Sequence, residues 1–277
     1  MARARRAPPE RSALRRRPAP RPVDRLVNTL ALILARAGSK GVPGKNMRPV
    51  AGRPCLCWTI DHALAARDAG AVARTALSTD APDAQELALA LGIDVVARPP
   101  ELADDTATVD AAARHAVRAL EEPTPRERFD AVVILYANVP VRPAGLVGRA
   151  VAMLRETGAH SVQSYAPVGK HHPWWTAVVA PADQGGVVRP WEGPVLNHGV
   201  YRRQDLPPAH IPDGGVLVVT RGALYLEVPG VTPGPHAFFG ADRRGIVSPG
   251  GAVVDIDSEI DLIVADAVLS ARAGAHR

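Results

Sequence analysis

The sequence has little of what marks secreted or membrane proteins. Only two of its 277 residues are cysteine, Cys55 and Cys57, which are too close together for an obvious structural disulfide and have no metal-ligating neighbours. The apolar run at residues 30–35 is too short for the core of a signal peptide or for a membrane span. We therefore expect a protein of the reducing cytoplasm that makes no contact with a membrane.

Positive charge is concentrated at one end of the chain. Residues 1–27 contain nine arginines against Glu10 and Asp24, a net charge of +7, so that residues 28–277 carry −2 of the total of +5. This segment is rich in proline and alanine and has no apolar period, which predicts a disordered basic tail. A solvated tail without function is the interpretation we favour. A weak contact with anions or nucleic acid and a targeting sequence are the alternatives.

Beyond the tail, short β-type runs alternate with longer helical patterns. Strands are predicted at 30–35, before 77, at 94–97, 131–136, 161–165, 215–219 and 253–256, and helices at 56–67, 83–91, 107–120, 146–156 and 258–272. This alternation predicts a single α/β domain over residues 28–277, with a doubly wound, mostly parallel sheet and helices on both faces. Residues 168–212, rich in Pro, Gly, His and Trp, are predicted to form an excursion from that sheet.

The most informative segment is LARAGSKGVPGKN, residues 34–46, which follows the first predicted strand. Its glycines let the backbone approach phosphate closely, and Arg36, Lys40 and Lys45 supply charge against a polyanion. In open α/β sheets, ligands bind beyond the carboxyl ends of the strands, where this loop must lie. The spacing fits neither a Walker A sequence nor a dinucleotide fingerprint, which excludes the commonest ATPase and dehydrogenase interpretations. A basic turn without a ligand is the alternative.

A pair of carboxylates lies near the end of the chain. Asp255 lies in the strand predicted at 253–256 and Asp257 where that strand runs out into the last predicted helix, for which Ser258 is a plausible N-cap. Residues two apart on a strand share a face, with Cα atoms roughly 6.5–7 Å apart, and two carboxylates so placed repel unless a cation lies between them. Mg²⁺ prefers such oxygen ligands. The alternative is one capping and one solvated aspartate.

The loop resembles the signature loop of the acylneuraminate (sialic acid) cytidylyltransferases, Ala-Arg-x-x-Ser-Lys-Gly-x-Pro-x-Lys-Asn. Further blocks agree in order and spacing at residues 77–80 (LSTD), 97–106 (ARPPELADDT), 140–142 (PVR) and 255–257 (DID), so the resemblance covers about residues 29–272. It implies a Rossmann-like nucleotidyltransferase fold and a homodimer formed through the excursion. It also implies transfer of CMP from CTP to the anomeric hydroxyl of an acidic 3-deoxy-keto sugar, with release of pyrophosphate.

The same resemblance implies roles for individual residues. Arg36 and Lys45 would contact the triphosphate, and Asp255 and Asp257 would hold Mg²⁺, so that these four residues form the predicted catalytic set. The predicted nucleotide-binding residues are Arg36, Ser39, Lys40, Asn46 and Arg98, the last on the cytidine side.

The acceptor side departs from the family. Tyr136 stands where sialic acid enzymes usually have Gln, Trp175 where they have Lys, and Asp213 where they have Asn. A pocket that reads hydroxyl or amide groups changes its preference when these groups are lost, so we infer a different nonulosonic or ulosonic acid. The predicted sugar contacts are Tyr136, Arg142, Trp175, Arg203 and Asp213. Packing of the aromatic side chains in the core or an interface is the alternative.

Three other functions stay open. A cytidylyltransferase for an octulosonate is one, although such enzymes typically lack this Gly-Ser-Lys-Gly element. A nucleotide-sugar glycosyltransferase also combines an α/β sheet with an Asp-x-Asp metal site, but usually places it in the middle of its domain. A nucleotide-binding relative without catalysis is the third, and the retained Arg36, Lys45, Asp255 and Asp257 argue against it.

Overall fold

The computed structural model describes residues 28–38, 41–123 and 128–274. The predicted tail at residues 1–27, together with Ser39 and Lys40, lies outside the described residues. The strands are β1 Thr29–Leu34, β2 Pro49–Val50, β3 Arg53–Pro54, β4 Arg74–Thr79, β5 Asp94–Ala97, β6 Ala131–Tyr136, β7 Ser161–Pro167, β8 Ala177–Val179, β9 Val188–Pro190, β10 His210–Thr220 and β11 Arg243–Val247. The helices are α1 Cys55–Asp68, α2 Pro82–Ala90, α3 Val109–Glu121, α4 Leu146–Thr157, α5 Arg221–Leu224 and α6 Glu259–Gly274.

Seven strands form the central sheet, in the order β11-β7-β10-β6-β1-β4-β5. Only β10 runs antiparallel to its neighbours, β6 and β7, so the prediction of a mostly parallel sheet is confirmed. All six residues of β1 are buried, because helices cover both faces of the sheet at this strand. This burial explains why the run is continuously apolar rather than alternating.

The two faces of the sheet carry separate cores. Alternate residues of β1, Ala31 and Ile33, pack with α1, α2 and α4, whereas Leu30 and Leu32 pack with α3 on the opposite face. A third cluster joins α6 to β2 and the start of α1. The third cluster matters for function because Ile256 belongs to it, and Ile256 separates the two aspartates of interest.

Two parts of the chain differ from the prediction. No strand forms at 253–256: Val254 makes an isolated bridge to Val141, and the amide of Ile256 donates to the carbonyl of Asn138 at 2.9 Å. Backbone groups of residues 253–256 already form hydrogen bonds with the loop after β6, so they do not pair with a strand of the sheet. The edge strand β11 was not predicted, because its sequence RRGIV is half-exposed and begins with two arginines.

The excursion predicted at residues 168–212 consists of short 3₁₀ turns and the β8–β9 hairpin, and it rejoins the sheet at β10. Most of its residues are exposed, including all of β8. Within the parts of the chain that the structure describes, no helix has the length and apolar character needed to cross a membrane.

Candidate active site

The loop after β1 lies directly against the segment before α6. A Cβ atom added to Gly41 would stand 2.2 Å from the backbone oxygen of Asp257, so a larger residue would force the two segments apart. Glycine is therefore required at this position for a close approach of two backbones. The sequence suggested that this glycine serves phosphate binding, whereas the structure shows that it brings the first loop to the late aspartates.

Lys45 joins these two segments. Its Nζ donates to the carbonyl of Ile256 and to Oδ1 of Asp257, both at 2.7 Å. The Lys45 side chain is 16% exposed and that of Asp257 is 74% exposed, so the cation is anchored while the carboxylate faces solvent. The structure thus brings together a cation of the opening loop and a carboxylate 212 residues later.

Asp255 is held differently from Asp257. Its carboxylate accepts a hydrogen bond from the side-chain amide of Asn138, and no salt bridge within the described residues includes it. Burial and, to a smaller extent, the charge of Asp257 together raise the pKa of Asp255 to about 6, against the opposing charge of Lys45. The two carboxylates therefore interact, and their combined charge calls for a positive ligand.

This raised pKa predicts a pH-dependent cost in stability. Between pH ~4 and ~6 the folded chain binds more protons at Asp255 than the unfolded chain, so the free energy of unfolding falls as pH rises through this window. We expect Asp255→Asn to be more stable than the wild type at pH 7 by about 1–3 kcal/mol, and the difference to vanish near pH 4. The measurement is urea unfolding at pH 4 to 7 in EDTA. Asp68→Asn, at the exposed end of α1, is the control, and a less stable Asp255→Asn at pH 7 would contradict the assignment.

A cavity of about 210 Å³ opens beside these residues. Three of the predicted nucleotide-binding residues line this cavity, namely Arg36, Asn46 and Arg98. Lys45 also lies in its wall. The Arg36 guanidinium donates to Oδ1 of Asp105 at 2.9 Å. Asn46 donates to the carbonyl of Arg36 at 3.0 Å, and its buried Oδ1 has no protein partner among the described residues. That free acceptor is available to a ligand.

Arg98 is the most firmly held of the predicted nucleotide contacts. Its Nε donates to the Ser78 hydroxyl at 3.1 Å and its Nη2 to the Ser78 carbonyl at 2.6 Å, which fixes it to the end of β4. The side chain is buried, and burial lowers its pKa. A fixed guanidinium at a cavity wall needs little reorganisation to bind an oxygen-rich ligand.

A second, larger cavity of about 680 Å³ adjoins the first. Tyr136, Thr108 and Val109 lie in the walls of both, so the predicted sugar contact Tyr136 stands at the boundary. The remaining wall includes Tyr165, His236, Phe238, Phe239, Arg243 and Arg244. The sequence analysis did not predict that residues 236–244 contribute to a binding site. The only local indication of it was the two adjacent pairs, Phe238-Phe239 and Arg243-Arg244.

Two predicted sugar contacts have structural partners instead. Arg142 is only 1% exposed, and its guanidinium donates to the carbonyls of Tyr136, Val139 and Gly215 and to the Thr59 hydroxyl. The prediction that Arg142 contacts the sugar is therefore corrected: it ties the loop after β6 to β10 and α1. Asp213 accepts from the hydroxyl of Ser164 and from the amide of Gly215, while its buried Oδ2 has no partner in the part of the chain that the structure describes.

The other two lie in the excursion. Trp175 donates from Nε1 to the carbonyl of Val200 at 3.0 Å, and Arg203 begins an exposed 3₁₀ turn. Among the described residues neither lines the first or the second cavity. Their role as sugar contacts stays a prediction, which requires a neighbouring subunit to bring the excursion to a cavity.

Comparison with known proteins identifies the family of the chain. The family model described as cytidylyltransferase matches residues 30–176. The chain is 30% identical over 236 residues to N-acylneuraminate cytidylyltransferase of Streptococcus agalactiae serotype III (strain NEM316), covering 84% of this chain and 51% of that protein. It is 32% identical over 162 residues to CMP-N,N'-diacetyllegionaminic acid synthase of Legionella pneumophila subsp. pneumophila (strain Philadelphia 1), covering 58% and 66%. The chain thus spans about half the length of the first of these relatives.

Solved structures show the same fold. A CMP:2-keto-3-deoxy-manno-octonic acid synthetase complexed with CTP superimposes with a TM-score of 0.61, covering 88% of this chain and 99% of that chain at 16% identity. The 4-diphosphocytidyl-2C-methyl-D-erythritol synthase of Anaerococcus prevotii DSM 20548 superimposes with a TM-score of 0.55 at 12% identity, covering 87% and 98%. At these identities the likeness concerns architecture, and it confirms the predicted nucleotidyltransferase fold.

Proposed function

Because the chain belongs to the cytidylyltransferase family, we propose that it transfers CMP from CTP to the anomeric hydroxyl of an acidic 3-deoxy-keto sugar of the nonulosonate type. Pyrophosphate is the second product. The observation that carries the proposal is the contact of Lys45 with Asp257 beside a cavity that Arg36, Asn46 and Arg98 also line. Asp255 and Asp257 are not in the wall of this cavity, but Lys45 and Asn138, which are, contact Asp257 and Asp255 and so connect the cavity to the proposed metal ligands.

The residues of the first cavity would act by positioning and by neutralising charge, because transfer of a nucleotidyl group needs little covalent help from the protein. Lys45 would balance charge on the phosphates, as a fixed cation does in a water-poor site. Arg36 would exchange Asp105 for a phosphate oxygen, a trade that its partly exposed ion pair permits. Tyr136, shared by both cavities, would lie next to the acceptor sugar.

We propose Mg²⁺ as the metal, held by Asp255 and Asp257. Their fit rests on the mutual repulsion of a half-buried carboxylate, Asp255, and an exposed one, Asp257, and on the raised pKa of Asp255. Within the described residues no cluster of three or more His, Cys, Asp or Glu side chains could hold a metal, so oxygens of phosphate or water would complete its shell. A metal bound there would lower the pKa of the acceptor hydroxyl and offset charge on the α-phosphate.

We propose a homodimer formed through the excursion. Val179, Trp191 and Tyr201 are 64%, 66% and 88% exposed, and large apolar side chains grouped on one segment are typical of association surfaces. Sedimentation velocity tests this: a species near twice 29.2 kDa is expected, and a monomer at micromolar concentration would contradict it.

We also propose a cytoplasmic location. Cys55 and Cys57 are both buried and free, and thiols persist where glutathione keeps them reduced. Burial raises the pKa of Cys55 to about 12, so it would be unreactive as well. Fractionation of the producing cells tests the location, and recovery outside the cytoplasmic fraction would overturn it.

Pyrophosphate release tests the proposed function directly. Purified full-length chain is incubated with CTP, Mg²⁺ and, in turn, N-acetylneuraminic, legionaminic, pseudaminic and octulosonic acids. We expect pyrophosphate and a CMP-sugar with at least one nonulosonic acid, and none without an acid. Turnover of the octulosonic acid alone would reassign the acceptor. Release of no pyrophosphate with any of them would refute cytidylyl transfer and leave the glycosyltransferase or the non-catalytic binder.

A further inference from the structure

The second cavity contains one positive side chain whose charge no described carboxylate neutralises. Three charged acidic or basic residues line it, Asp110, Arg243 and Arg244. Asp110 pairs with Arg114 at 2.7 Å, and Arg244 pairs with Asp242 at 2.9 Å. Arg243 has no ion pair among the described residues.

Arg243 is nevertheless held in place. Its Nε donates to the carbonyl of Gly240 at 3.0 Å and its Nη2 to the carbonyl of His236 at 3.1 Å, while its guanidinium carbon lies 5.2 Å from the centroid of the Phe239 ring. A guanidinium has five N–H donors, so these contacts leave three for a ligand. The stacking and the two carbonyl contacts reduce the conformational freedom that binding would otherwise remove.

The backbone that carries Arg243 is itself constrained. Gly240 has a φ of +71°, and a Cβ atom there would stand 2.4 Å from the Cβ of His160. Nδ1 of His160 accepts from the amides of Ala241 and Asp242, at 3.1 and 3.0 Å. The turn before β11 can thus adopt few other backbone conformations, and this restricts the position of the Arg243 guanidinium.

An acidic acceptor requires such a cation. Of the arginines that the sequence assigned to the sugar, Arg142 is inside the core and Arg203 lies in the excursion. Arg243 lies at the start of the edge strand β11, in register through β7 and β10 with Val132 of β6. Tyr136 is four residues further along β6, so the Cα atoms of Arg243 and Tyr136 are roughly 19 Å apart by ideal strand spacings. Both long side chains line the second cavity, whose volume of about 680 Å³ leaves room between them for an entire sugar acid with its substituents.

We infer that Arg243 binds an oxyanion of the acceptor and selects for acidic sugars in the second cavity. The inference rests on the proposed function and deepens it. The geometry favours an acidic substituent remote from the anomeric carbon, because the carboxylate bonded to that carbon has to stay near the first cavity, whose walls do not include Arg243. The carboxylate is the other source, which the test distinguishes. Both have the chemistry that a guanidinium recognises with paired hydrogen bonds.

Steady-state kinetics of Arg243→Gln test the inference, with the acid of highest kcat/KM in the pyrophosphate screen as acceptor. We expect the acceptor KM to rise ~10–100-fold and the CTP KM to stay within about twofold, because a hydrogen bond to a charged group is lost only on the sugar. Arg243→Lys should recover part of the loss. Arg244→Gln, which removes a charge already paired with Asp242, should change the acceptor KM at most a few-fold. Arg149→Gln, at an exposed position of α4, should leave the acceptor KM unchanged.

The methyl ester of the same acid separates the two sources of the oxyanion. If Arg243 binds the carboxylate, the ester is a poor substrate for the wild type and Arg243→Gln treats acid and ester alike. If it binds another acidic substituent, Arg243→Gln raises the KM of both. An unchanged acceptor KM in Arg243→Gln, or an equal rise in Arg244→Gln, overturns the inference while cytidylyl transfer stands. A wild type that turns over no acid refutes the proposed function and the inference with it.

Discussion

Asp257→Asn is expected to lower kcat by at least ~10²-fold while the chain stays folded. The carboxylate is 74% exposed and bonds to Lys45 at 2.7 Å, so it contributes to ligand binding more than to packing. Its loss would remove one of the two proposed metal ligands and leave the Lys45 ammonium without its counter-charge. Losses of this size are typical when one group that stabilises the transition state is removed. The close approach of Gly41 is to the backbone of residue 257 and is kept.

The measurement is the rate of pyrophosphate release at saturating CTP and acceptor over a range of Mg²⁺ concentrations. Glu259→Gln is the matched control, because Glu259 is an exposed acid two residues away whose partner is Arg48. We expect the control to keep the wild-type kcat and Mg²⁺ dependence, with unchanged unfolding midpoints for both variants. A kcat of Asp257→Asn near that of the wild type would contradict the metal role.

Arg142→Leu is expected to destabilise the fold by about 3–5 kcal/mol. The guanidinium is buried, and burial lowers its pKa to about 10, which still leaves it charged at neutral pH. Removing it would take the guanidinium donors from the carbonyls of Tyr136, Val139 and Gly215. Tyr136 and Val139 would keep only weaker, neutral donors, the Thr59 hydroxyl and the Val139 amide. Because buried carbonyls that lose a charged donor are not rehydrated, the cost exceeds that of an ordinary surface substitution.

Urea unfolding with and without CTP measures this loss. Arg149→Leu, an exposed arginine of α4 that donates to a nearby carbonyl, should change the free energy of unfolding by less than about 0.5 kcal/mol. The loss of unfolding free energy in Arg142→Lys should lie between those of Arg142→Leu and Arg149→Leu, since one ammonium cannot reach all four acceptors. Full stability of Arg142→Leu together with a raised acceptor KM would restore the sugar contact that the sequence suggested.

The strands and loops at the two ends of the site were only partly predictable from the sequence. Periodicity located β1 and β6 to within a residue, because continuous apolar runs are the direct consequence of burial on both faces. The loop after β1 and the Asp255–Asp257 pair were recognisable as polar clusters at element ends. The interpretation of residues 253–256 as a strand was wrong, since a short apolar run does not reveal whether a partner strand is present.

Errors on the acceptor side have a common physical cause. Arg142 and a solvated ligand-binding arginine look identical in sequence, because a guanidinium can satisfy backbone carbonyls as well as carboxylates. Phe238, Phe239 and Arg243 lie on a short turn and an edge strand with no strong period, so nothing local marked them. Their possible role in binding becomes visible only in the folded chain, where they line the same cavity as Tyr136.

Sequence alone determined the α/β class, the positions of the buried strands along the chain and the presence of a cationic loop and a late carboxylate pair. These features are local, since each depends on the spacing of residue types over a few turns or strands. The tertiary structure decided that Lys45 contacts Asp257, that Gly41 permits that contact, and that Arg142 supports the core while Arg243 faces a cavity. Such pairings depend on how distant segments pack, and local spacing does not encode which polar side chain ends inside the protein and which one meets a ligand.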